Sequence, residues 1–221
     1  MSSSYNRLHR RNRSHYTGGG FRLGSPRQGT LRHALKEWAV AVRALERGAT
    51  ALVIRKGGIR EKAFAVPRRR FLLLPGYEHQ RPELLKPEFR DLMEGLSGLD
   101  DSGPLRFTSL AEVHAAYEIS EPESLEAIDP HHMWTRRYAE SRFRWRPKKP
   151  LTVLLLRTYL LPEPVELPYR EAYGGCKSWI ELEEEVPVAG ARPALDDEAF
   201  ERLAAPALAV LRDLEPAPVG G

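Results

Sequence analysis

The sequence predicts an α+β fold: a single domain with a mixed or mostly antiparallel sheet and several packed helices, preceded by a disordered tail. β-rich runs at residues 50–56, 151–161 and 177–182 lie on both sides of segments that carry helix start signals, an order typical of α+β domains. Residues 1–30 are rich in Arg, Gly and Ser and almost free of aliphatic side chains, so they cannot bury enough apolar surface to fold. We therefore expect a tail over residues 1–30 and one domain over residues 31–215.

The first predicted elements are strands. Large apolar side chains recur at every second position of residues 38–43, and residues 50–56 are β-rich, with a turn at residues 46–49 between them. This pattern predicts a β-hairpin. Residues 71–74 are expected to form a buried strand that ends at Pro75.

Helix start signals follow in the middle of the chain. A helix with one apolar face is expected after Pro87. Ser109 and Glu112 match a capping box and predict the start of a second helix. On that helix His114 and Glu118 would lie one turn apart and could offer two ligands to a metal.

Further elements are expected in the second half of the chain. Asp129 followed by a proline predicts a helix start, because Asp is a good N-cap and proline suits the first helical position. This helix is expected to continue until Pro147. Residues 151–161 give the strongest strand pattern, residues 177–182 alternate as a late strand, and residues 196–214 predict a final helix.

Composition excludes some classes of protein. The chain has 221 residues and a single cysteine, Cys176, so an internal disulfide or a cysteine-rich zinc site is excluded. No apolar run is long enough for a membrane helix. We expect a cytoplasmic protein with no membrane partner.

The charges are unevenly distributed. Residues 1–32 hold seven arginines and no acidic residue, whereas residues 181–201 hold eight acidic residues and one arginine. Residues 134–149, here called the basic segment, hold seven basic residues, one acidic residue and four aromatic rings. Cations with interspersed rings are typical of surfaces that contact phosphates and stack on bases.

The basic segment is the predicted DNA- or RNA-binding surface. Arg55 and Lys56, which precede Gly57-Gly58, would extend it, since glycines let backbone amides approach an anion. The alternative is that Trp134, Tyr138 and Trp145 pack into the core and the arginine stems cover them. The predicted nucleic-acid-binding residues are Arg55, Lys56, Arg136, Arg137, Arg142, Arg144, Arg146 and Lys148.

Catalytic signals are weaker. His79, on an expected loop, is the first candidate base, and Glu61, Glu78 and His132 are further candidates. The zinc-protease motif and the carboxylate–lysine pattern of restriction-type nucleases are absent. The sequence predicts no metal site and no identifiable cofactor.

Several blocks resemble a known family. They include Leu52–Glu61 (LVIRKGGIRE), Phe71–Gln80 (FLLLPGYEHQ), Leu154–Pro162 (LLLRTYLLP) and Tyr173–Leu182 (YGGCKSWIEL). In this order they resemble the bacterial domain of unknown function numbered 1802, over about residues 31–185. Some members of that family are fused to restriction-endonuclease-like domains, so the resemblance implies a DNA restriction or processing context. We expect no such catalytic domain within these 221 residues.

Three functions therefore remain open. The first is a nucleic-acid-binding or accessory module. The second is a small phosphodiesterase or nucleotide hydrolase that uses the candidate histidines and carboxylates. The third is a scaffold whose acidic residues 181–201 bind a protein partner.

Overall fold

Eight strands form one mixed sheet in the computed structural model, which describes residues 29–56, 64–175 and 177–221. The sheet order is β2-β5-β4-β3-β1-β6, with β7 paired to β5 and β8 paired to β4. The strands are β1 (Thr30–Trp38), β2 (Leu52–Lys56), β3 (Arg70–Gly76), β4 (Leu105–Ile119), β5 (Leu151–Leu167), β6 (Trp179–Pro187), β7 (Arg192–Pro193) and β8 (Glu215–Pro216).

Four α-helices lie among the described residues: α1 (Ala39–Glu46), α2 (Pro122–Ile128), α3 (Arg136–Arg144) and α4 (Asp197–Leu211). Short 3₁₀ helices occur at Pro82–Leu84, Pro87–Met93, Asp129–His131 and Glu171–Tyr173. Within the described part of the chain no helix is both long and apolar enough to cross a membrane. The predicted α+β class with a mixed sheet is confirmed.

The sheet is strongly curled. β1 pairs with β3 in parallel, and the long strands β4 and β5 pair antiparallel along most of their length. In a flat sheet, β2 and β1 would lie about 19 Å apart, since four strand spacings of about 4.8 Å separate them. Nevertheless, Arg55 Nη1 on β2 lies 2.8 Å from Glu37 Oε2 on β1. The curl therefore brings the end of β1 to the end of β2.

The strand predicted at residues 38–43 is wrong, and so is the hairpin. β1 ends at Trp38 and the chain continues as α1, in which six of eight side chains are buried. A short helix that is apolar on almost all sides cannot be told from a buried strand by its periodicity. The other half of the expected hairpin is the strand β2, but its partner is β5.

The helix predicted from Ser109 and Glu112 is also wrong, because both residues lie in β4. The Ser109 hydroxyl donates a hydrogen bond to Glu46 at the end of α1, 2.7 Å away. Glu112 is buried, with Arg69 3.4 Å away. In the strand, these two side chains contact residues that are distant in sequence, and they do not cap a helix.

The helix predicted from Asp129 is shorter than expected. Asp129–His131 forms a 3₁₀ turn, and Trp134 then makes a β-bridge to Leu85. The α-helix starts only after Thr135, whose hydroxyl accepts from the Tyr138 amide. The segment predicted as a helix after Pro87 is a 3₁₀ helix.

The strands predicted at residues 71–74, 151–161 and 177–182 are confirmed as β3, β5 and β6. The final helix is confirmed as α4, with Asp196 as its N-cap. Residues 1–28 of the predicted tail and the Gly57-Gly58 loop lie outside the described residues, and the folded body begins slightly earlier than predicted, with Thr30 as the first residue of β1.

Candidate nucleic-acid interface

Helix α3 is anchored to the body by an aromatic cluster. The ring of Trp38 lies 5.0 Å from that of Trp134 and 5.7 Å from that of Tyr138, and the latter two rings are 4.9 Å apart. Burial raises the pKa of the Tyr138 hydroxyl. The proposed alternative, that these aromatics pack into the core, therefore holds for Trp134 and Tyr138. Edge and tilted ring contacts of this kind add to the stability of the packing.

Trp145 behaves differently from the other rings of the basic segment. It is the C-cap of α3 and its side chain is 38% exposed. The guanidinium of Arg142 lies 5.0 Å from its ring centre and that of Arg146 lies 4.5 Å away. A base can stack on this exposed indole in place of one of the two guanidiniums that lie over the ring, and the displaced cation can then pair with a phosphate.

The chain reverses at Arg146, directly after this indole. Arg146 has φ +57°, in the left-handed region that glycine usually occupies after a helix. A non-glycine residue there costs about 1–2 kcal/mol. Such local strain is found more often at functional sites than elsewhere. Here it turns the backbone so that Arg146 folds back over Trp145.

The acidic residues near α3 neutralise only part of its charge. Glu140 pairs with Arg136 at 3.2 Å and with Arg144 at 3.0 Å, and Glu126 also pairs with Arg136 at 2.8 Å. All these side chains are at least one-third exposed, so the pairs are weak and phosphates can compete for the arginines.

Three further cations of the basic segment are not neutralised. Among the residues that the structure describes, Arg137, Arg142 and Lys148 form no ion pair with a carboxylate. Arg137 and Lys148 are exposed and Arg142 is partly exposed. The segment thus keeps a surplus of accessible positive charge around the Trp145 ring.

Arg55 lies beneath this surface rather than on it. Its guanidinium donates to Glu37 at 2.8 Å and to the Ser178 hydroxyl at 2.9 Å, and it stacks over Phe64 at 5.1 Å. Glu37 is only 5% exposed and also accepts from the Trp38 amide. Arg55 therefore joins β1, β2 and the start of β6.

Lys56 is likewise engaged inside the protein. Its ammonium group donates to the Phe143 carbonyl at 2.8 Å, near the end of α3, and lies 5.4 Å from the Phe143 ring. Burial, and next the nearby Arg142 charge, lower the pKa of Lys56. Lys56 thereby holds the last turn of α3 against β2.

The candidate catalytic residues occupy different environments. His79 is 83% exposed at φ +64°, and its ring lies 4.0 Å from Glu78, which is also exposed. The next residue, Gln80, accepts from the Val40 amide at the start of α1. Glu61 lies outside the described residues. The turn at His79 therefore places Gln80 where its side chain caps the start of α1.

His132, in contrast, is fully buried. Neither ring nitrogen has a hydrogen-bond partner within the described protein, although Asp129 Oδ1 lies 3.7 Å from Nε2. Burial, and next the charge of Lys86, lower the pKa of His132 to about 4. Its imidazole is neutral at pH 7 and inaccessible to a substrate.

His132 should therefore make the protein unstable in acid. Because the unfolded state takes up a proton near pH 6.5 and the folded state only near pH 4, the free energy of unfolding falls as the pH falls through that window. The expected loss is about 3 kcal/mol at most. We expect His132→Phe to remove this part of the pH dependence, as measured by urea unfolding at pH 7 and pH 4.5. An equal loss in both proteins would contradict the assignment.

The two potential metal ligands His114 and Glu118, expected one helical turn apart, are not brought together. His114 and Glu118 lie in β4, where four residues span about 13 Å instead of one helical turn. His114 packs its ring against Phe200, with 5.1 Å between the ring centres. Over the described ranges, no three His, Cys, Asp or Glu side chains form a group that could hold a metal ion.

The acidic residues of the third hypothesis lie mainly on β6, an edge strand, and at the start of α4. Arg170 pairs with Glu183 at 3.2 Å and also with Glu184, and Thr30 donates to Glu185. Part of this charge is therefore balanced within the protein. Charged side chains on an edge strand also prevent unwanted strand pairing.

Sequence reasoning missed Glu37 and Ser178, which hold Arg55. The signal for Glu37 was a carboxylate directly before the large apolar Trp38 in a buried strand. Such a charge is rarely buried without a partner. The sequence could not identify Arg55 as its partner, because Arg55 and Ser178 are distant from Glu37 in sequence.

Comparisons with known proteins give one family and one group of structures. Residues 34–206 match the model of a family described as Domain of unknown function (DUF1802). No curated protein matches. The crystal structure of ASCH from Zymomonas mobilis is similar with a TM-score of 0.41 and 10% identity, over 78% of this chain and 93% of that chain. The structure of one of its point mutants gives a TM-score of 0.40 and 10% identity, over 78% and 94%.

Proposed function

The chain belongs to the DUF1802 family, and we propose that it is a nucleic-acid-binding module whose contact surface is the basic segment. Residues 34–206 cover most of the folded body, so the family resemblance seen in the sequence is confirmed. The match extends beyond Glu185 into α4.

One observation carries the proposal: Trp145 is an exposed ring in contact with two guanidiniums, at the end of a helix with surplus positive charge. A base that stacks on Trp145 would displace a guanidinium from the ring, and Arg142 and Arg146 would then pair with the flanking phosphates. Single strands offer both groups at once, so we propose single-stranded DNA or RNA as the ligand.

We divide the predicted binding residues into two sets. Arg136, Arg137, Arg142, Arg144, Arg146 and Lys148 are proposed to contact phosphates. Arg55 and Lys56 are proposed to support them from below, because Arg55 fixes β1 to β2 and Lys56 fixes the end of α3. The DNA-processing context is a further prediction of the same proposal.

Trp145→Ala tests the stacking contact. We expect the variant to bind a labelled 12-nucleotide single strand about tenfold or more weakly, since one stacked base contributes about 1–3 kcal/mol. Its salt dependence should stay unchanged, because no charge is removed. The measurement is fluorescence anisotropy across a salt series.

Trp145→Phe is the matched control, because it keeps a ring in contact with the two arginines. It should retain most of the affinity. If Trp145→Ala binds as tightly as the unmodified protein and unfolds at the same temperature, the stacking role is wrong.

A further inference from the structure

A single carboxylate lies in the middle of the cations of α3. Glu140 is the one acidic residue of the basic segment, and its two oxygens bind different arginines. Oε1 accepts from Arg136 Nε at 3.2 Å, and Oε2 accepts from Arg144 Nη2 at 3.0 Å. Because the three residues are four positions apart, their side chains lie on the same face of the helix. Glu140 therefore links two cations that are about 12 Å apart along the helix axis.

A second carboxylate reaches the start of α3 from α2. Glu126 Oε1 accepts from Arg136 Nη2 at 2.8 Å. This hydrogen bond, and next the one to Glu140, raise the pKa of the Arg136 guanidinium. Arg136 is the first residue of α3, whose first turn contains no acidic residue, although negative charge stabilises a helix N-terminus. Glu126 and Glu140 thus supply the negative charge that this turn lacks.

Both contacts of Glu140 are accessible to solvent. The side chains of Arg136 and Arg144 are more than half exposed, and that of Glu140 is 35% exposed. Exposed pairs of this kind contribute little binding energy. A carboxylate offers a guanidinium two acceptor oxygens, as a phosphate does. A phosphate can therefore take the place of Glu140 on either arginine, but it has to displace the carboxylate.

Glu140 divides the cations of the basic segment into two kinds. Some of them, such as Arg137 and Arg142, form no ion pair with a carboxylate of the described residues, so they can meet a phosphate directly. Arg136 and Arg144 carry a carboxylate in the free protein. A strand that uses both kinds has to remove Glu140 from two arginines.

We propose that Glu140 is an internal competitor of nucleic-acid phosphates, which occupies Arg136 and Arg144 in the free protein and is displaced when a strand binds. This inference rests on the proposed function of α3 and adds to it the residue that limits its affinity. After displacement the charge of Glu140 stays close to the phosphates and repels them. Repulsive elements of this kind restrict binding to unintended partners.

Glu140→Gln tests the inference, because the amide keeps the shape of the side chain and removes its charge. We expect the variant to bind a labelled single strand about fivefold more tightly at about 0.1 M salt, as the loss of two exposed ion pairs implies. The slope of log K against log salt should become steeper by about 0.7, the contribution of one more neutralised phosphate. Fluorescence anisotropy across a salt series measures both quantities.

Glu140→Asp distinguishes displacement from simple repulsion. Aspartate keeps the charge, but its side chain is shorter and cannot link the two arginines with the same geometry. If the contacts limit binding, this variant should also bind the strand more tightly than the unmodified protein. Unchanged or weaker binding would mean that only the charge acts, and the role as a competitor would be wrong.

Glu123→Gln is the matched control. Glu123 is exposed on α2, which packs against α3, and it forms no ion pair with a described residue. Its replacement changes the net charge equally and should leave the salt slope unchanged. Equal gains in Glu123→Gln and Glu140→Gln would overturn the inference, as would a normally folded Glu140→Gln that binds no more tightly than the unmodified protein. If neither the unmodified protein nor the variants bind a strand, the proposed function itself is wrong.

Discussion

Replacing Arg137, Arg142 and Lys148 together by Ala should weaken binding to single-stranded nucleic acid about 100-fold at 0.1 M salt. These cations form no ion pair with a carboxylate among the described residues. Each neutralised phosphate contributes about 0.7 to the slope of log K against log salt for single strands, so the slope should fall by about 2. Fluorescence anisotropy titrations from about 50 to about 300 mM salt measure both the affinity and this salt slope.

The matched control removes the same charge elsewhere. Arg192, Arg202 and Arg212 are exposed and lie on β7, on α4 and just after α4. Their replacement by Ala changes the net charge equally and should change affinity only a few-fold. Equal losses in the two triple variants would mean that overall charge, not the basic segment, governs binding.

The second large effect concerns stability rather than binding. Arg55→Ala leaves the Glu37 carboxylate, which is 5% exposed, without its cation. Removal of one partner from a buried ion pair costs about 3–5 kcal/mol. We expect a loss of that size in the free energy of unfolding, measured by urea unfolding at pH 7.

A double variant distinguishes the effect of an unpaired buried charge from a direct role of Arg55 in binding. In Glu37→Gln with Arg55→Met, the amide oxygen can still accept from the Trp38 amide and no charge is buried. It should recover most of the stability. It should also bind single strands with an unchanged salt slope, because Arg55 is proposed to support the surface from below. A smaller salt slope in a stably folded double variant would show instead that Arg55 contacts a phosphate.

The strands that carry the sheet could be predicted because they are long and strongly apolar. Residues 151–161 became part of β5, and residues 71–74 became part of β3. α1 could not be predicted, since Val40 and Val42 are buried in a helix that is apolar on both sides. In β4, a local cap signal at Ser109 was outweighed by the pairing of this fifteen-residue strand with β3 and β5.

The candidate site was only partly predictable for a related reason. Composition alone located the basic segment and its surplus of arginines. It could not separate the exposed Trp145 from the buried Trp134, because that depends on where α3 ends and on the left-handed turn at Arg146. Nor could it separate Arg55 and Lys56 from the surface cations, because their partners Glu37 and Phe143 come from other parts of the fold.

The central claim is that the folded body, rather than the arginine-rich tail, carries the nucleic-acid-binding surface. The most direct test compares the full chain with a version that begins at Gly29 for binding to labelled single-stranded DNA and RNA across a salt series. We predict that the shorter version still binds, with affinity that falls steeply as salt rises. Loss of binding when residues 1–28 are removed would contradict the claim.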